Sequence, residues 1–511
     1  MHAFSELKRP PRLRAERASL EDYLRSVLTV DELSRPLMVS FTQWDFAVAV
    51  VGEVSVTLAD MGSKPSLALW SDETPLRDVG WQVDHGLARL LGSATIDQRL
   101  TKALRAAGVG PEVFVSVARP WKPQEPLPDL TGRSRSEIRR LTYRGAPMGR
   151  GILEVPPYAD VPVTDDYLWP EKYLRKAMES YAFVFDQTSR VIQERSCTAV
   201  FSYNGRFLHD SAVTAAARHH GLPVLFYDSG GLETDFDLTI EDTHDWSALQ
   251  KRMRTMYDSW PADERRDLGA SWFLDRIHHT EVDNARFTDS QRPGVGISRG
   301  DDEVVATYFS SSGDEIAELD LDWSDYFDGQ EGAVLAVAEA CRELGIRLIV
   351  RTHPHKRYKS KRDVQDWNAA VARARPDVHL DEHSEVDSYT LMKQSDAVLT
   401  FGSTTGVEAG FAERPVIVMG PSAYDELGCA VRVRNQEELM KALQERKAGT
   451  REDALPYGLM MKRRGFACRY LELDADGTRR LAGLPIIEAR ESVRHLSHAW
   501  NRFTRWRLTR R

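Results

Sequence analysis

Two polar turns in the second half of the chain carry residue types that bind phosphate. The first is Arg351-Thr-His-Pro-His-Lys356, which directly follows a short apolar segment. Ligands of open parallel sheets bind beyond the carboxyl ends of the strands. A histidine at that place can donate to a phosphate or a leaving oxygen, and Pro354 restricts the backbone before it. Arg351, His353, Pro354 and Lys356 are therefore candidate ligand-binding residues. The alternative is a loop histidine that only caps the strand.

The second turn is Phe401-Gly-Ser-Thr-Thr-Gly-Val-Glu408, which also follows an apolar segment and opens a predicted helix. Glycine lets the backbone approach a ligand closely, hydroxyl groups donate to oxyanions, and a helix start offers free amides. The pattern predicts a phosphate site made by Gly402, Ser403, Thr404, Thr405 and Glu408. A capping box between Thr405 and Glu408, with no ligand, is the alternative. The P-loop pattern G-x-x-x-x-G-K-[ST] is absent, so a P-loop hydrolase is not supported.

These turns belong to an alternating pattern of strands and helices. In the second half, apolar segments at 303–309, 347–351, 378–380, 397–401 and 415–419 predict strands, with helices at 333–344 and 364–374. The first half predicts strands at 37–42, 65–70, 198–203 and 223–227, with helices at 43–60, 171–195 and 210–220. This alternation predicts parallel sheets. The expected fold is therefore α/β, with two Rossmann-like doubly wound domains that face a cleft.

Composition shifts suggest the domain boundaries. The prediction is an N-terminal extension 1–29, an α/β domain 30–280 with a loop-rich insertion 120–170, a second α/β domain 303–475, and a basic helical tail 476–511. The segment between the domains is rich in turn-forming and charged residues, which suits a linker.

Charge and cysteine content exclude several classes of protein. The net charge is -9, from 68 Lys+Arg and 77 Asp+Glu, which argues against a general nucleic-acid binder. The four cysteines form no C-x-x-C pair, so a cysteine-based zinc site of the usual spacing is not expected. Their scattered positions fit a protein of the reducing cytosol. The Asp320-Leu-Asp322 pattern resembles a metal-binding D-x-D, but it lies in an acidic run typical of a solvated face. No metal and no cofactor are predicted.

Taken together, the motifs resemble a known family. His353-Pro354, Ser403-Thr404 and the stretch Val386-Asp-Ser-Tyr-Thr-Leu-Met392 are similar to the donor-binding half of bacterial capsule-polysaccharide-type glycosyltransferases of the GT-B fold. The His-Pro and Ser-Ser/Thr motifs are similar to those of the bacterial sialyl- and Kdo-transferases. The resemblance implies that the His-Pro motif contacts the nucleotide or its phosphate and that the serine motif holds the phosphate. It also implies that residues 30–280 form the acceptor domain and residues 303–475 the nucleotide-sugar donor domain, with cytidine as the expected base.

Inverting glycosyl transfer without a metal requires a base for the acceptor hydroxyl and positive charge for the departing phosphate. Arg351, His353, Lys356 and the turn at 403–405 meet the second need. For the base we nominate Asp228 or Asp45, each just beyond a predicted strand, although a turn former and a helix-start residue are the alternatives. Arg206 is a candidate for orienting the acceptor or a donor carboxylate, or for a surface salt bridge.

Two other functions fit the same pattern. A nucleotide-sugar 2-epimerase shares two facing Rossmann domains and a donor turn of this kind, and it needs no acceptor. A non-catalytic component of a polysaccharide assembly complex would bind its ligands without turnover. The predicted partners are a nucleotide sugar and a glycan or glycolipid acceptor.

The end of the chain is basic and aromatic. Five arginines lie between Arg502 and Arg511, and Trp500, Phe503 and Trp506 are beside or among them. This pattern predicts a short helix on an anionic membrane surface, with docking on the protein itself as the alternative. No signal peptide or membrane-spanning segment is evident. The expected location is cytoplasmic, with peripheral binding to the inner face of the plasma membrane.

Overall fold

The computed structural model describes residues 19–41, 45–70, 74–76, 96–153, 171–232, 234–280, 290–311, 327–358, 361–475 and 477–487. Two six-stranded sheets organise this part of the chain, and helices cover both faces of each. The predicted fold class, α/β with two doubly wound domains, is confirmed.

The first sheet has the order β14-β7-β6-β5-β1-β2, in which β7 is antiparallel to both of its neighbours, β6 and β14, and the other pairs are parallel. Its strands are β1 Pro36–Ser40, β2 Ser66–Leu69, β5 Ala199–Tyr203, β6 Val224–Ser229, β7 Asp235–Thr239 and β14 Phe466–Ala467. The helices of this half are α1 Leu20–Val27, α2 Asp45–Asp60, α3 Ile96–Ala106, α4 Arg135–Arg139, α5 Gly149–Leu153, α6 Glu171–Arg195 and α7 Leu208–His219. Leu37 and Val39 point to the core under α6 and α7, whereas Met38 points to the core under α2. The alternation is that of a strand buried on both faces.

The second sheet has the order β10-β9-β8-β11-β12-β13, and all of its pairs are parallel. Its strands are β8 Val305–Phe309, β9 Arg347–Arg351, β10 Val378–Leu380, β11 Ala397–Thr400, β12 Val416–Val418 and β13 Val431–Arg432. The helices that follow them are α10 Gly329–Leu344, α11 Lys361–Ala374, α12 Ser388–Gln394, α13 Thr405–Phe411, α14 Gln436–Glu445 and α15 Arg451–Arg463. Each strand predicted from sequence in this half is present, with ends shifted by at most a few residues.

The insertion predicted as loop-rich contributes to the first core. Residues 120–153 of it are described, and they contain α4, α5 and a hairpin of β3 Thr142–Tyr143 and β4 Ala146–Pro147. Tyr143, Met148 and Ile152 are fully buried against α6 and α7. The segment is therefore an integral wall of the first half.

Helices α8 Trp246–Ser259 and α9 Ala262–Ile277 precede the predicted boundary at residue 280, yet they pack in the second core. Trp272 and Phe273 of α9 lie there among residues of α13 and α15. The approach of α9 to α15 is close, because a Cβ added at Gly458 would lie 2.1 Å from the carbonyl oxygen of Gly269. Apolar packing thus assigns these helices to the second half, although the sequence analysis placed them in the first.

After α15 the chain returns to the first half. Strand β14 extends the first sheet, and the small sheet β15 Leu471–Leu473, β16 Arg479–Leu481 and β17 Leu484–Ile487 buries Leu481 and Ile486 against α2. The predicted helical tail is therefore wrong for residues 479–487. The turn between β16 and β17 has positive φ at Ala482 (50°) and Gly483 (72°), as two-residue hairpins require.

The basic and aromatic segment at the end of the tail lies outside the described residues. Within the described ranges, none of the helices combines the length and the apolar character needed to cross a membrane.

Candidate functional site

The carboxyl ends of β8, β9 and β11 open into a cavity of about 110 Å³, which we call the strand-end cavity. Strand β8 is the first strand of this sheet in chain order, and the later strands lie on both sides of it. This is the topological switch point at which doubly wound sheets bind ligands. The structure brings most of the predicted donor residues together in the lining, namely Arg351, His353, Pro354, Ser403, Thr404, Thr405 and Glu408.

Arg351 is a buried cation at the end of β9, and only 1% of the residue is exposed. Its Nη1 and Nη2 donate to the carbonyl oxygens of Asp381 and Ser384, each over 3.3 Å. Among the described residues, its Nε has no hydrogen-bond partner, and no carboxylate lies within ion-pair distance of the guanidinium. Burial lowers the pKa of Arg351 to about 10, against weaker attraction by the Asp381 and Asp387 carboxylates. The cavity wall therefore holds a positive charge that has no direct counter-ion in the part of the chain that the structure describes.

His353 is fixed in one tautomer by its neighbours. Its backbone N–H donates to Ser310 Oγ over 2.8 Å, which ties the turn after β9 to the end of β8. Its Nδ1 accepts the backbone N–H of His355 over 3.1 Å. The neutral ring therefore carries its proton on Nε2. His353 thus offers a donor rather than an acceptor to a ligand.

The turn after β11 presents hydroxyl groups on a constrained backbone. Gly402 has φ 85°, a conformation that favours glycine. The backbone N–H of Ser403 donates to Thr400 Oγ1 over 3.0 Å, and the carbonyl oxygen of Ser403 accepts from the Tyr424 hydroxyl. Ser403 Oγ donates to Thr405 Oγ1 over 3.2 Å. The two hydroxyls are held side by side at the cavity.

Glu408 serves an ion pair rather than a capping box. Helix α13 has no side-chain hydrogen bond at its N-terminal cap, so the capping alternative is not formed. Glu408 Oε1 lies 2.8 Å from Nε of Arg276, and the Arg276 guanidinium lies over the Trp272 ring at 4.5 Å. The Glu408 carboxylate raises the pKa of Arg276, outweighing the opposing effect of burial. The negative charge of Glu408 is therefore compensated inside the protein.

Two predicted donor residues lie elsewhere. Lys356 is buried away from the lining, with its Nζ 5.6 Å from the centroid of the Trp367 ring. Gly402 shapes the turn without lining the cavity. The positive charge at this cavity thus comes from arginine.

Sequence reasoning did not select several polar residues that line the strand-end cavity: Arg276, Gln291, Ser310, Ser388 and Tyr389. Ser310 follows β8 directly, so the strand-end criterion used for His353 identifies it as well. Ser388 and Tyr389 of α12 lie in the stretch 386–392 that carries the family resemblance, although neither was selected as a site residue. Arg276 of α9 and Gln291 reach the cavity from outside the second sheet, and no local sequence pattern indicates that contact.

In the first half, Asp228 ends strand β6 and belongs to a hydrogen-bonded chain. Its Oδ2 accepts from Nδ2 of Asn204 over 2.7 Å, and its Oδ1 accepts from the Ser229 backbone. Asn204 Oδ1 lies 2.9 Å from Nε2 of His244. Because the Asn204 amide nitrogen faces a carboxylate, its oxygen faces the histidine and Nε2 of His244 is the donor. The neutral His244 ring then leaves Nδ1 unprotonated.

Asp228 lies where the two halves meet. It lines a small cavity of about 70 Å³ together with Arg252 and Arg464, and Nη2 of Arg464 donates to Ser229 Oγ over 3.4 Å. This cavity and the strand-end cavity have no described lining residue in common. The structure therefore does not join Asp228 to the donor residues in one cavity.

A third, larger cavity of about 680 Å³ lies beside the end of β5, and we call it the arginine cavity. Its lining contains Arg144, Arg150, Arg206 and Arg218, of which the sequence analysis selected only Arg206. Burial, together with the charges of Arg206 and Arg150, lowers the pKa of His244 to about 4. His244 is thus a neutral imidazole beside a concentration of positive charge.

Asp45 is the first residue of α2, and its side chain lies outside the part of the chain that the structure describes. The same is true of Asp320 and Asp322. Among the described residues, no three His, Cys, Asp or Glu side chains are grouped so as to hold a metal ion.

No curated protein matches the chain. Among solved structures, the beta Kdo 2,4 transferase of Thermosulfurimonas dismutans KpsC is 17% identical over 51% of this chain and 87% of that chain, with a TM-score of 0.29. The beta Kdo 2,7 transferase of the same KpsC is 13% identical over 62% and 89%, with a TM-score of 0.32. The Methanocaldococcus jannaschii UDP-GlcNAc 2-epimerase is 13% identical over 56% and 79%, with a TM-score of 0.31.

One family model also matches, over about a quarter of the chain. The matched segment includes both motif turns, at His353 and at Ser403, and most of the second sheet. The resemblance predicted from those motifs is therefore confirmed: residues 326–455 match the family described as capsule polysaccharide biosynthesis protein.

Proposed function

We propose that this protein is a glycosyltransferase that moves a sugar from a nucleotide-activated donor to a cell-surface or capsular glycan, or to its lipid-linked precursor. The family match over residues 326–455 supports a role in capsule polysaccharide synthesis. The observation that carries the proposal is Arg351, a buried cation that has no direct counter-ion among the described residues and lies at the switch point of the second sheet. A bound phosphate would supply the missing negative charge.

The strand-end cavity is suited to stabilising a departing nucleotide. Negative charge develops on the phosphate as the sugar leaves, and fixed donors stabilise it best where water is excluded. Arg351 supplies charge, Nε2–H of His353 supplies a directed donor, and the hydroxyls of Ser403 and Thr405 complete the set. This donor set makes a metal ion unnecessary for charge neutralisation, so transfer is proposed to be metal-independent.

The acceptor is proposed to bind on the side of the first sheet, with inversion at the sugar carbon. Asp228 is the preferred base, because its carboxylate lies at the junction of the halves and is held by Asn204. His244 joins the same hydrogen-bonded chain with an unprotonated Nδ1, so it is a second group able to accept a proton there. Asp45 remains a sequence-based candidate.

Nucleotide binding and turnover test the proposal separately. Calorimetric titration with CMP, CDP, UMP and UDP should give binding that depends on Arg351, and we expect the cytidine nucleotides to bind more tightly. Incubation with CMP- and UDP-activated sugars plus acidic or neutral oligosaccharide acceptors should release nucleotide and extend an acceptor. Absence of nucleotide binding by the intact chain would refute the donor site.

Two other outcomes would reassign the protein. Conversion of a nucleotide sugar into its epimer without an acceptor would make it a 2-epimerase. Nucleotide binding with no product, in the presence of acceptor glycans extracted from encapsulated cells, would make it a non-catalytic component of an assembly complex.

A further inference from the structure

We propose that Asn204 is a positioning residue, which orients the Asp228 carboxylate and the His244 ring as one hydrogen-bonded unit for the transfer reaction. The catalytic part of this inference rests on the proposed function, whereas the link between the two side chains is a property of the fold. Asn204 directly follows β5, and Asp228 lies near the end of the neighbouring strand β6. His244 lies in the loop before α8. We call these three residues the Asn204 unit.

The backbone of Asn204 is held in a conformation that few residue types adopt. Its φ of 47° lies in the left-handed region, where asparagine is enriched among residues that carry a side chain. Its N–H donates to the carbonyl oxygen of Tyr227 over 3.1 Å, and its carbonyl oxygen accepts the hydroxyl of Thr243 over 2.7 Å. The next residue, Gly205, also has positive φ, and a Cβ added there would lie 2.4 Å from the Phe226 ring. The turn after β5 therefore fixes the point from which the Asn204 side chain projects.

The side-chain amide of Asn204 contacts both titratable groups at once. Its Nδ2 donates to Asp228 Oδ2 over 2.7 Å, and its Oδ1 lies 2.9 Å from His244 Nε2. An amide has its donors on one end and its acceptor on the other, so the Asp228 carboxylate decides which way the amide points. That orientation places the proton of the neutral His244 ring on Nε2. Asp228 therefore sets the tautomer of His244 through Asn204.

The Asn204 unit connects two cavities. Asp228 lines the cavity of about 70 Å³ and His244 lines the arginine cavity, whereas Asn204 is not among the described lining residues of either. Asn204 is 8% exposed, so water competes little for its hydrogen bonds. Without the amide, both the carboxylate and the ring could rotate. A displacement of about 1 Å in a reacting group can lower a rate about 100-fold. Asn204 thus acts through its two neighbours.

Nitrogen-15 NMR of the full chain with labelled histidine tests the link without turnover. Burial lowers the pKa of His244 to about 4, so its ring is neutral at pH 7, and its signals are identified by their loss in His244→Asn. We expect a single tautomer, with the proton on Nε2, in the unaltered protein. Asp228→Asn should produce a mixture with the Nδ1–H tautomer, because an amide at that position no longer decides how Asn204 points.

The matched control is Glu241→Gln, which removes a carboxylate from the lining of the same cavity as Asp228. This variant should keep the single tautomer. A proton on Nδ1 of His244 in the unaltered protein, or an unchanged single tautomer in Asp228→Asn, would overturn the link.

Kinetics test the catalytic part. Asn204→Gly removes the side chain but suits the left-handed backbone, so the fold should persist. With a CMP- or UDP-activated sugar and an oligosaccharide acceptor, this variant should lose about tenfold or more in kcat with little change in KM for the donor. Its affinity for CMP and UMP should be unchanged, because the strand-end cavity shares no described lining residue with the two cavities of the Asn204 unit.

The two tests fail separately. An unchanged kcat in Asn204→Gly would overturn the positioning role even if the NMR result shows the link. A lack of turnover in the unaltered protein would refute the proposed function and with it the catalytic part, while the tautomer of His244 still decides the link.

Discussion

Replacing Arg351 by methionine should stabilise the free protein and abolish its response to nucleotide. The residue is 1% exposed, and its pKa falls from the ordinary value of arginine to about 10 because burial disfavours the charge. At about 1.4 kcal/mol per pKa unit, holding the charge in place costs about 3 kcal/mol of folding free energy. Because Arg351 is charged in both the folded and the unfolded chain at neutral pH, this cost is present in full there. It decreases only as the pH rises through the lowered pKa of the folded protein.

Methionine removes the charge but also removes two hydrogen bonds of 3.3 Å to carbonyl oxygens. Each such bond contributes about 1 kcal/mol or less at that length. The net expectation is a gain of about 1–2 kcal/mol, which raises the melting temperature of this half by ~2–8 °C. In the unaltered protein, saturating nucleotide should raise the melting temperature instead, because ligand binding stabilises the folded state.

Scanning calorimetry with and without CMP and UMP measures both effects. The matched control is Arg347→Met on the same strand, because Arg347 has a carboxylate partner, Glu303, at 2.8 Å. That variant should keep its nucleotide response and gain no stability. Arg351→Met could instead lower the melting temperature by several degrees and still respond to nucleotide. The guanidinium would then stabilise the fold through its hydrogen bonds to the carbonyl oxygens, and its assignment to the donor site would be refuted.

Four further outcomes are expected. His353→Ala, and the double change Ser403→Ala/Thr404→Ala, should each weaken nucleotide affinity about tenfold in calorimetric titration without lowering the melting temperature, since both turns lie outside the core. Transfer activity should survive EDTA, and loss restored by magnesium or manganese would contradict metal-independent transfer. Acid should destabilise the protein, because burial lowers the pKa of His244 from 6.5 in the unfolded chain to about 4 in the folded protein. About 3 kcal/mol of the free energy of unfolding is therefore lost as the pH falls from 6.5 through 4. In denaturation experiments at a series of pH values, His244→Asn should show a smaller loss of stability over that range. Deleting residues 495–511 should reduce the salt-sensitive sedimentation of the protein with anionic liposomes and leave nucleotide binding intact. Unfolding of the truncated protein would show that the segment has a structural role instead.

The donor half was predictable because its information is local. Each strand is a short apolar segment and each turn after it is polar, so the sequence alone orders strands and candidate residues along the chain. In the parallel sheet β9 and β11 both pair with β8, so their carboxyl ends lie side by side. The turns at His353 and Ser403 therefore line one cavity. The same criterion, a polar residue directly after a predicted strand, identifies Ser310 as a residue of this cavity.

The first half and the end of the chain were less predictable because their contacts join distant segments. The arginine cavity is formed by residues from the insertion, from α7 and from the loop before α8, and no spacing in the sequence relates them. The returning end of the chain is held by Glu53, which is 1% exposed and accepts the backbone N–H groups of residues 469–471. A single buried glutamate within an apolar helix was visible in the sequence, but its partners were not.

Helices α8 and α9 explain how the two halves are tied together. They follow β7 of the first sheet but pack in the core of the second. Arg252 of α8 pairs with Asp237 of β7, at 2.9 Å from Nη1 to Oδ2, whereas Arg276 of α9 pairs with Glu408 at the strand-end cavity. The same helix pair therefore carries one ion pair to the strand beside Asp228 and another to the donor site. A movement of the sheets relative to each other must either break the Arg252–Asp237 pair or carry α8 and α9 away from the second core. These two helices therefore link the acceptor side to the donor side.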